Sequence, residues 1–318
     1  MDPLDRLLEL AQVRGVVDVR CYLAGSFDID HDAVPSGEAP FHLVMTGGGQ
    51  VVLPDGSSIE IRAGDLLVLV RGSRHRVQSS SGKEAARPVT FDASGPIPVK
   101  RNTEDAAELD LLCGRFVFAP DSVALLFDAL PDVLHVRLSN HHALSSLSGL
   151  VEIMRNEVAR MDPGVYAVVS ALAQTLLVFA LRSAMHAGLV SRSLLTLLSE
   201  PRLGKAVFAV LHDPAREWTV SLMAEQAMMS RATFARHFEA AAGTSPLELV
   251  TRLRMELARE LLRKGSLPVG AVGERVGYRS EAAFSRVFSK LTGATPARYR
   301  RDIRNGDAVC ITPCNVTQ

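Results

Sequence analysis

The spacing of apolar residues changes along the chain and predicts a helix, then strands, then helices again. Apolar residues recur at helical spacing over residues 4–11, and short strand-like runs separated by Gly, Pro and Asp follow from about residue 16 to residue 99. Within VVLPDGSSIEI, the turn formers Pro54, Asp55 and Gly56 lie between two apolar strands and predict a hairpin. Several short strands at this spacing are typical of a β-sandwich or a small barrel.

Helical spacing returns after about residue 102. Thr103 is followed by three acidic residues, which favours a helix start because negative charge stabilises the N-terminal end. Residues 143–160 and 165–186 then predict two long antiparallel helices, used either for self-association or for packing within the chain. The second contains Ser170 and Gln174, so a buried helix explains it better than a membrane span.

One 17-residue window occurs twice, 50 residues apart. SRATFARHFEAAAGTSP begins at Ser230, SEAAFSRVFSKLTGATP begins at Ser280, and the two agree at seven positions. Each window has helical spacing, starts with a serine suited to cap the helix, and follows a shorter helix and a tight turn that in the second copy contains Gly277. This is the helix-turn-helix pattern, whose second helix enters the major groove of DNA. The aromatic residues shared by the windows are expected in the core: Phe234, Phe238, Phe284 and Phe288.

The segment PLELVTRLRMELARELLRKG joins the two windows and predicts one amphipathic helix. A helix of about 18 residues is about 27 Å long. Successive major grooves on one face of B-DNA are about 34 Å apart. We therefore expect one chain to present two recognition helices to neighbouring grooves.

Charge is unevenly distributed, although the formal net charge is zero. Residues 201–304 contain 18 Lys and Arg against 10 Asp and Glu, a difference of +8, so the remainder has 17 against 25, a difference of −8. A basic third joined to an acidic remainder predicts a polyanion-binding module attached to a module of another kind. The four scattered cysteines form no disulfide framework and the N-terminus lacks an apolar signal core, so we expect a cytoplasmic protein without membrane attachment.

The C-terminal third resembles the AraC/XylS family of transcription regulators over residues 203–304. The preceding region resembles the cupin-type sensory domain that one AraC subgroup carries. Gly270 and Gly273 depart from the family, which usually has Ala or β-branched residues there, so this short helix is expected to be less stable. The stretch GYRSEAAFSRVFSKLTGATPARYR places nine residues in family positions: Gly277, Tyr278, Phe284, Arg286, Phe288, Gly293, Pro296, Tyr299 and Arg300.

The resemblance implies an α+β chain of four parts. These are a cupin-like sensory β-barrel over 1–102, a helical linker and dimerisation region over 103–200, a DNA-binding domain with two helix-turn-helix motifs over 201–304, and a flexible tail over 305–318. It also implies partners: double-stranded promoter or operator DNA, RNA polymerase, a second copy of the chain, and a small-molecule effector or an oxidant.

By position, the resemblance implies groove-facing residues on both recognition helices. Arg236 and Arg286 are the strongest candidates for base contacts, because a guanidinium can bond guanine O6 and N7 in bidentate fashion. The alternative for each is a phosphate contact. The second helix is less sequence-selective in many family members, so Arg236 ranks first. The full set is Arg231, Ala232, Ala235 and Arg236 in the first helix, and Glu281, Ala282, Ser285 and Arg286 in the second.

His42 and His75 are the candidate effector-sensing histidines of the strand region. A metal-binding cupin needs an HxH pair, a glutamate and a further histidine. Because His42 and His75 lack a carboxylate partner, we expect no bound metal and no cofactor. The two histidines then line or cap a barrel that binds a small ligand.

Cys21 is the candidate redox sensor. It follows Arg20, and a nearby cation favours the reactive thiolate. MDPLDRLLELAQVRGVVDVRC also resembles the AraC subgroup that contains regulators responsive to reactive chlorine oxidants. The resemblance implies a second sensor cysteine late in the cupin, but the stretch SSSGKEAARPVTFDASG contains none. A disulfide would therefore need Cys113 or a cysteine of another chain. The alternative is that Cys21 has a purely structural role. Cys310 and Cys314 lie in a tail too short to form a zinc site alone.

The sequence thus predicts a sequence-specific DNA-binding transcription regulator, not an enzyme, that activates in response to an effector or an oxidant. The rival prediction is a cupin-type metalloenzyme fused to a DNA-binding module, which needs a metal triad or a nucleophile–base pair. A third prediction, a non-specific nucleic-acid protein, is disfavoured by two ordered helix-turn-helix units.

Overall fold

The computed structural model describes residues 2–80, 86–119, 127, 129–137 and 145–304. The chain divides into two compact units. The first, here called the β unit, consists of the described parts of 13–120 and 130–189. The second, here called the helical unit, consists of the described parts of 1–12, 121–129 and 190–318.

The β unit is built around one curled ten-stranded sheet with the order β10-β5-β3-β9-β1-β8-β7. Strand β3 is long enough to pair with β5 and β9 through its first part and with β4 and β6 through its last. The sheet therefore folds over an apolar core. The strands are β1 (Arg14–Leu23), β2 (Asp28–His31), β3 (Glu38–Val52), β4 (Ser58–Arg62), β5 (Asp65–Leu69), β6 (His75–Gln78), β7 (Thr90–Asp92), β8 (Val99–Arg101), β9 (Leu109–Val117) and β10 (Val133–Arg137).

Strand β9 lies where the sequence predicted the helical region, and that prediction was wrong. It pairs antiparallel with both β1 and β3, and all its residues except Val117 are buried. A strand buried on both faces is apolar at successive positions, so its spacing does not distinguish it from a buried helix. The boundary expected after residue 102 falls inside this sheet, and Thr103 begins no helix.

Two helices complete the β unit, α2 (Ser145–Arg160) and α3 (Val165–His186). The apolar stripe of α3 packs on α2 and β1, and Gly15 permits the approach, since a Cβ there would lie 2.7 Å from the Ser170 carbonyl oxygen. Internal packing therefore accounts for this stripe. By length and composition, α3 is the one helix among the described residues that could cross a membrane.

The helical unit contains two helix-turn-helix motifs joined by one long helix. Helices α6 and α7 form the first motif, α8 is the connector, and α9 and α10 form the second. Phe234, Phe238, Phe284 and Phe288 are fully buried, as predicted. The helices are α4 (Leu194–Ser199), α5 (Pro201–His212), α6 (Val220–Gln226), α7 (Arg231–Ala242), α8 (Pro246–Lys264), α9 (Val269–Arg275), α10 (Glu281–Thr292) and α11 (Pro296–Arg304).

The N-terminal helix α1 (Pro3–Ala11) belongs to the helical unit and not to the strand region with which the sequence grouped it. It begins with an Asp2 capping box and packs its apolar face on α5 and α8. Arg6 donates to the buried Glu260 carboxylate at 3.1 Å. The amphipathic pattern of a short helix predicts that one face is buried but not which surface buries it.

Candidate nucleic-acid interface and buried imidazole–thiol cluster

The two recognition helices, α7 and α10, begin in the same way. The Ser230 hydroxyl accepts a hydrogen bond from the Thr233 backbone amide at 3.3 Å, and the Ser280 hydroxyl accepts one from Ala283 at 3.2 Å. Each cap satisfies one backbone donor that the helix itself leaves unpaired. Both helices end at a glycine with positive φ, which stops them after 12 residues.

Paired aromatic rings fix the buried face of each recognition helix. Phe234 and Phe238 lie one turn apart with ring centroids separated by 5.4 Å, and Phe284 and Phe288 repeat this at 5.6 Å. Because these faces point inward, the opposite faces of α7 and α10 are directed to solvent. The predicted groove-facing residues lie there: Arg231, Ala232, Arg236, Glu281, Ala282 and Arg286 are exposed, and Ala235 and Ser285 are half-buried.

The arginines on these faces are available to an external anion. Arg231, Arg236 and Arg286 form no ion pair with any residue that the structure describes. Elsewhere in the unit, exposed arginines do pair, as Arg252 does with Glu248 at 2.8 Å. A guanidinium without an acidic partner retains its donors for phosphate or for a base edge.

The turn of the second motif depends on Gly277, as the sequence predicted. Its φ is +88°, and a Cβ there would lie 2.7 Å from the Arg254 guanidinium and 2.8 Å from the Ala215 carbonyl oxygen. Arg254 in turn donates to the carbonyl oxygens of Pro214 and Arg216. One arginine of the connector α8 thus joins the loop before the first motif to the turn of the second.

In the β unit, Cys21 does not have the surroundings predicted for it. Its side chain is 1% exposed, and Arg20 points to the opposite face of β1 because neighbouring residues of a strand alternate. Arg20 is bound to the buried Asp110 carboxylate by two hydrogen bonds, of 2.9 and 2.7 Å. Arg20 therefore does not activate the Cys21 thiol, which lies in the same apolar core as the thiol of Cys113.

Three imidazoles and the Cys113 thiol form a cluster inside the β unit, here called the imidazole–thiol cluster: His31, His42, His75 and Cys113. The nearest ring nitrogens of His42 and His75 are 2.6 Å apart, and His42 Nδ1 is 3.2 Å from Cys113 Sγ. The ring of His31 stacks on His75 and meets His42 edge-on, each at 4.8 Å between centroids. The structure thus brings together His42 and His75, the two histidines that the sequence analysis named, and adds His31, which it did not name.

Burial keeps the cluster uncharged. It lowers the pKa of His31 to about 3 and the pKa of His42 well below the usual range, and it also lowers the pKa of His75. The neighbouring Cys21 thiol, together with burial, raises the pKa of the Cys113 thiol. His31 Nε2 is buried without a hydrogen-bond partner among the described residues, which costs about 1–3 kcal/mol.

Comparison with known proteins relates the whole chain to regulators. A family profile described as "Cupin" matches residues 2–186, and one described as "Helix-turn-helix domain" matches residues 223–302. An uncharacterized HTH-type transcriptional regulator of Haemophilus influenzae is 33% identical over 303 residues, covering 95% of this chain and 99% of the relative. A putative AraC-like transcription regulator of Streptomyces lividans is 30% identical over 312 residues, covering 95% and 98%.

The chain belongs to the AraC family of transcriptional regulators and carries an N-terminal cupin domain. A further AraC-type relative, the "RCS-specific HTH-type transcriptional activator RclR" of Escherichia coli, is 28% identical over 305 residues, covering 96% of this chain and 99% of the relative. This AraC-family protein is thus a DNA-binding transcription regulator. The regulator names of relatives that match over nearly their whole length favour this function over a fused cupin enzyme.

Two residues of the imidazole–thiol cluster of this AraC-family protein, His31 and Cys113, were not assigned to a common site by sequence reasoning. The signal was weak, because His31 ends a four-residue strand with a single buried residue, Cys113 lies in a continuous buried run, and the sequence does not specify how either strand pairs. The remaining candidates, Cys310 and Cys314, lie outside the described residues.

Proposed function

We propose that this regulator binds promoter DNA through α7 and α10 together and activates transcription when the imidazole–thiol cluster region is oxidised or binds an effector. The observation that carries the DNA-binding part is the equivalence of Arg236 and Arg286. Each is the seventh residue of its repeated window, each is exposed, and each lies on a serine-capped helix.

The connector supports binding to two grooves. Helix α8 has 19 residues, so it is about 28 Å long at about 1.5 Å per residue. This is close to the roughly 34 Å between successive major grooves on one face of DNA. A rigid helix between two capped helices therefore suits a site of two neighbouring grooves.

Arg236→Ala tests this arrangement. We expect binding to the cognate site to weaken by about 1–3 kcal/mol, with relaxed preference at one base pair, because a bidentate guanine contact is lost. The measurement is fluorescence anisotropy on the operator and on its single-base variants, after the operator has been mapped by genome-wide occupancy. Arg252→Ala is the matched control, since it removes an arginine that is also exposed, but from α8 rather than from a recognition helix. Equal losses on random and cognate DNA would make Arg236 a phosphate contact.

For sensing, we propose oxidation of the Cys21 and Cys113 thiols to a disulfide. The two cysteines lie on paired strands within one apolar core, with Cys113 opposite Val19 and Cys21 two residues further along β1. The reaction releases two protons and two electrons, and hypochlorite accepts the electrons as it is reduced to chloride and water. The relative RclR is named RCS-specific, which supports this assignment. A small ligand bound in the barrel beside His42 and His75 is the alternative signal.

A promoter reporter under hypochlorite stress tests the sensing proposal. Cys21→Ser should abolish the response, whereas Cys314→Ser, a substitution in the tail, should leave it intact. A full response in Cys21→Ser would leave Cys21 a packing residue and favour the small ligand.

We further propose that the regulator acts as a homodimer and contacts RNA polymerase when it activates. A dimer interface must be formed by exposed side chains. Leu177 and Leu181 are buried inside the β unit, so they do not form it. Among the described side chains of α2 and α3, the large apolar ones that are exposed are Ile153, Tyr166 and Val168. Charged substitutions at Tyr166 and Val168 should give monomers by light scattering, and persistent dimers would place the interface elsewhere.

A further inference from the structure

Two cross-strand pairs bring the imidazole–thiol cluster together. His31 of β2 lies directly opposite His75 of β6, and His42 of β3 lies directly opposite Cys113 of β9. Residues directly opposite one another in an antiparallel pair project from the same face. The strand pairing itself therefore directs these four side chains to one place.

The hydrogen bonds assign the protons on two of the rings. The Ser73 carbonyl oxygen can only accept, so His75 Nδ1, 2.9 Å away, carries a proton and donates it. Neutral His75 then has a lone pair on Nε2, and His42 Nε2–H donates to it at 2.6 Å. His42 Nδ1 is consequently left with a lone pair, and it faces the sulfur of Cys113.

His31 supplies a third donor atom. Its Nε2 is buried and has no hydrogen-bond partner among the described residues. One ring nitrogen each of His31 and His42 and the sulfur of Cys113 all lie within 4.8 Å of one another. In a tetrahedral zinc site, bond lengths of about 2.0–2.3 Å place neighbouring ligand atoms about 3.4–3.6 Å apart. In the structure, His42 Nδ1 and Cys113 Sγ are 3.2 Å apart and no two of the three ligand atoms are more than 4.8 Å apart, so the present separations bracket that spacing.

We propose that the β unit binds one Zn²⁺ through His31, His42 Nδ1 and Cys113, with His75 as the residue that positions His42. Two neutral imidazoles and one thiolate are ligands that zinc prefers, and a carboxylate is not required. Binding transfers the Cys113 proton to solvent. The hydrogen bonds from His42 to His75 and from His75 to the Ser73 carbonyl hold the ligating ring of His42 through its other nitrogen, as is usual for histidine ligands of zinc.

This site differs from the pattern sought in the sequence, an HxH pair with glutamate. His75 is a candidate for the further histidine of that pattern, but here it supports a ligand rather than being one. Cys21, which contacts Cys113, is not within the group of ligand atoms. The inference shares Cys113 with the proposed thiol oxidation but does not depend on that oxidation.

Cobalt and zinc binding to the full-length protein test the site. The chain is purified without a metal-affinity tag, stripped with chelator, and titrated with Co²⁺ or Zn²⁺, with bound metal counted by mass spectrometry after gel filtration. We expect one metal per chain, tetrahedral visible bands of Co²⁺, and a thiolate-to-cobalt charge-transfer band in the near ultraviolet. The same spectrum should appear in a variant with Cys310→Ser and Cys314→Ser, which excludes the tail thiols.

Substitutions then identify the ligands. Cys113→Ser should lose the charge-transfer band, and His31→Ala should lose stoichiometric binding. His75→Gln should weaken binding about 10–100-fold, as expected for a supporting residue. His186→Ala, which removes an exposed histidine of α3, is the matched control and should bind as the wild type does.

Two results would overturn the proposal. One is a wild-type cobalt spectrum that is octahedral or lacks the charge-transfer band, which needs no variant and is independent of folding defects. The other is unchanged binding by a folded His31→Ala protein, verified by near-ultraviolet circular dichroism. Cys21→Ser separates the two hypotheses: it should keep the metal even if it abolishes the response to oxidant.

Discussion

Replacing Gly273 with alanine should destabilise the helical unit, whereas the same replacement at Gly270 should stabilise it. Both glycines lie in α9, and neither has a positive φ, so alanine fits the backbone at both positions. Within a helix, alanine stabilises the folded protein by about 0.5–1 kcal/mol relative to glycine. The environment of the added methyl group therefore decides the sign of each change.

At Gly273, the new Cβ would lie 3.0–3.1 Å from three atoms of the Phe284 side chain. Phe284 is fully buried between Tyr278 and Phe288, so it has no space into which to move. Overpacking of this kind costs about 1–3 kcal/mol. After the stabilisation of the helix by alanine is subtracted, we expect the free energy of unfolding to fall by up to about 2 kcal/mol.

At Gly270, the new Cβ would meet only one close atom, Glu281 Oε2 at 2.9 Å. Glu281 is exposed and its carboxylate can rotate away. The helix gain of up to about 1 kcal/mol then remains. The expectation that both glycines weaken this helix is thus refined: Gly273 is required for the close packing of α10 on α9, and Gly270 is not.

Urea unfolding followed by tryptophan fluorescence measures both effects. Trp218 is the single tryptophan of the chain and is buried in the helical unit, so its signal reports that unit. Gly273→Ala should lower the transition midpoint and Gly270→Ala should raise it, with unchanged slopes. A Gly273→Ala protein as stable as the wild type would show that Phe284 can yield and would refute the packing argument.

Three further predictions concern the two units separately. Leu7→Ala should cost about 2–5 kcal/mol in the Trp218 transition, because the side chain is fully buried where α1 packs on α5 and α8; an unchanged transition would show that α1 does not stabilise this unit. Asp110→Ala should cost the β unit about 3–5 kcal/mol by leaving buried Arg20 unpaired, measured by calorimetry; a loss below 1 kcal/mol would show that water reaches the site. The folded-state pKa of His31, about 3, lies below its unfolded value near 6.5, so its contribution to stability is full above about pH 6.5 and is lost as the pH falls towards 3. The acid loss of stability of the metal-free β unit should therefore be shallower in His31→Gln, and identical pH profiles would contradict this.

The sequence by itself determined the helix-turn-helix third of this protein. Its signals are local: a serine cap at Ser230 and Ser280, a glycine with positive φ at Gly277, and phenylalanines one turn apart. Each acts within a few residues, so a linear reading finds it. The recurrence of the window after 50 residues then indicated two recognition helices.

Only the tertiary structure decided the rest. His31 and Cys113 are 82 positions apart, with His42 and His75 between them, and strand register alone brings the four together. The same non-local pairing made β9 a strand where its continuous apolar run allowed a helix, and packing on α5 and α8 assigned α1 to the helical unit. The same physical reason applies to all three features. An apolar pattern specifies that a residue is buried against a partner, but which residue is that partner depends on contacts between segments far apart in the chain.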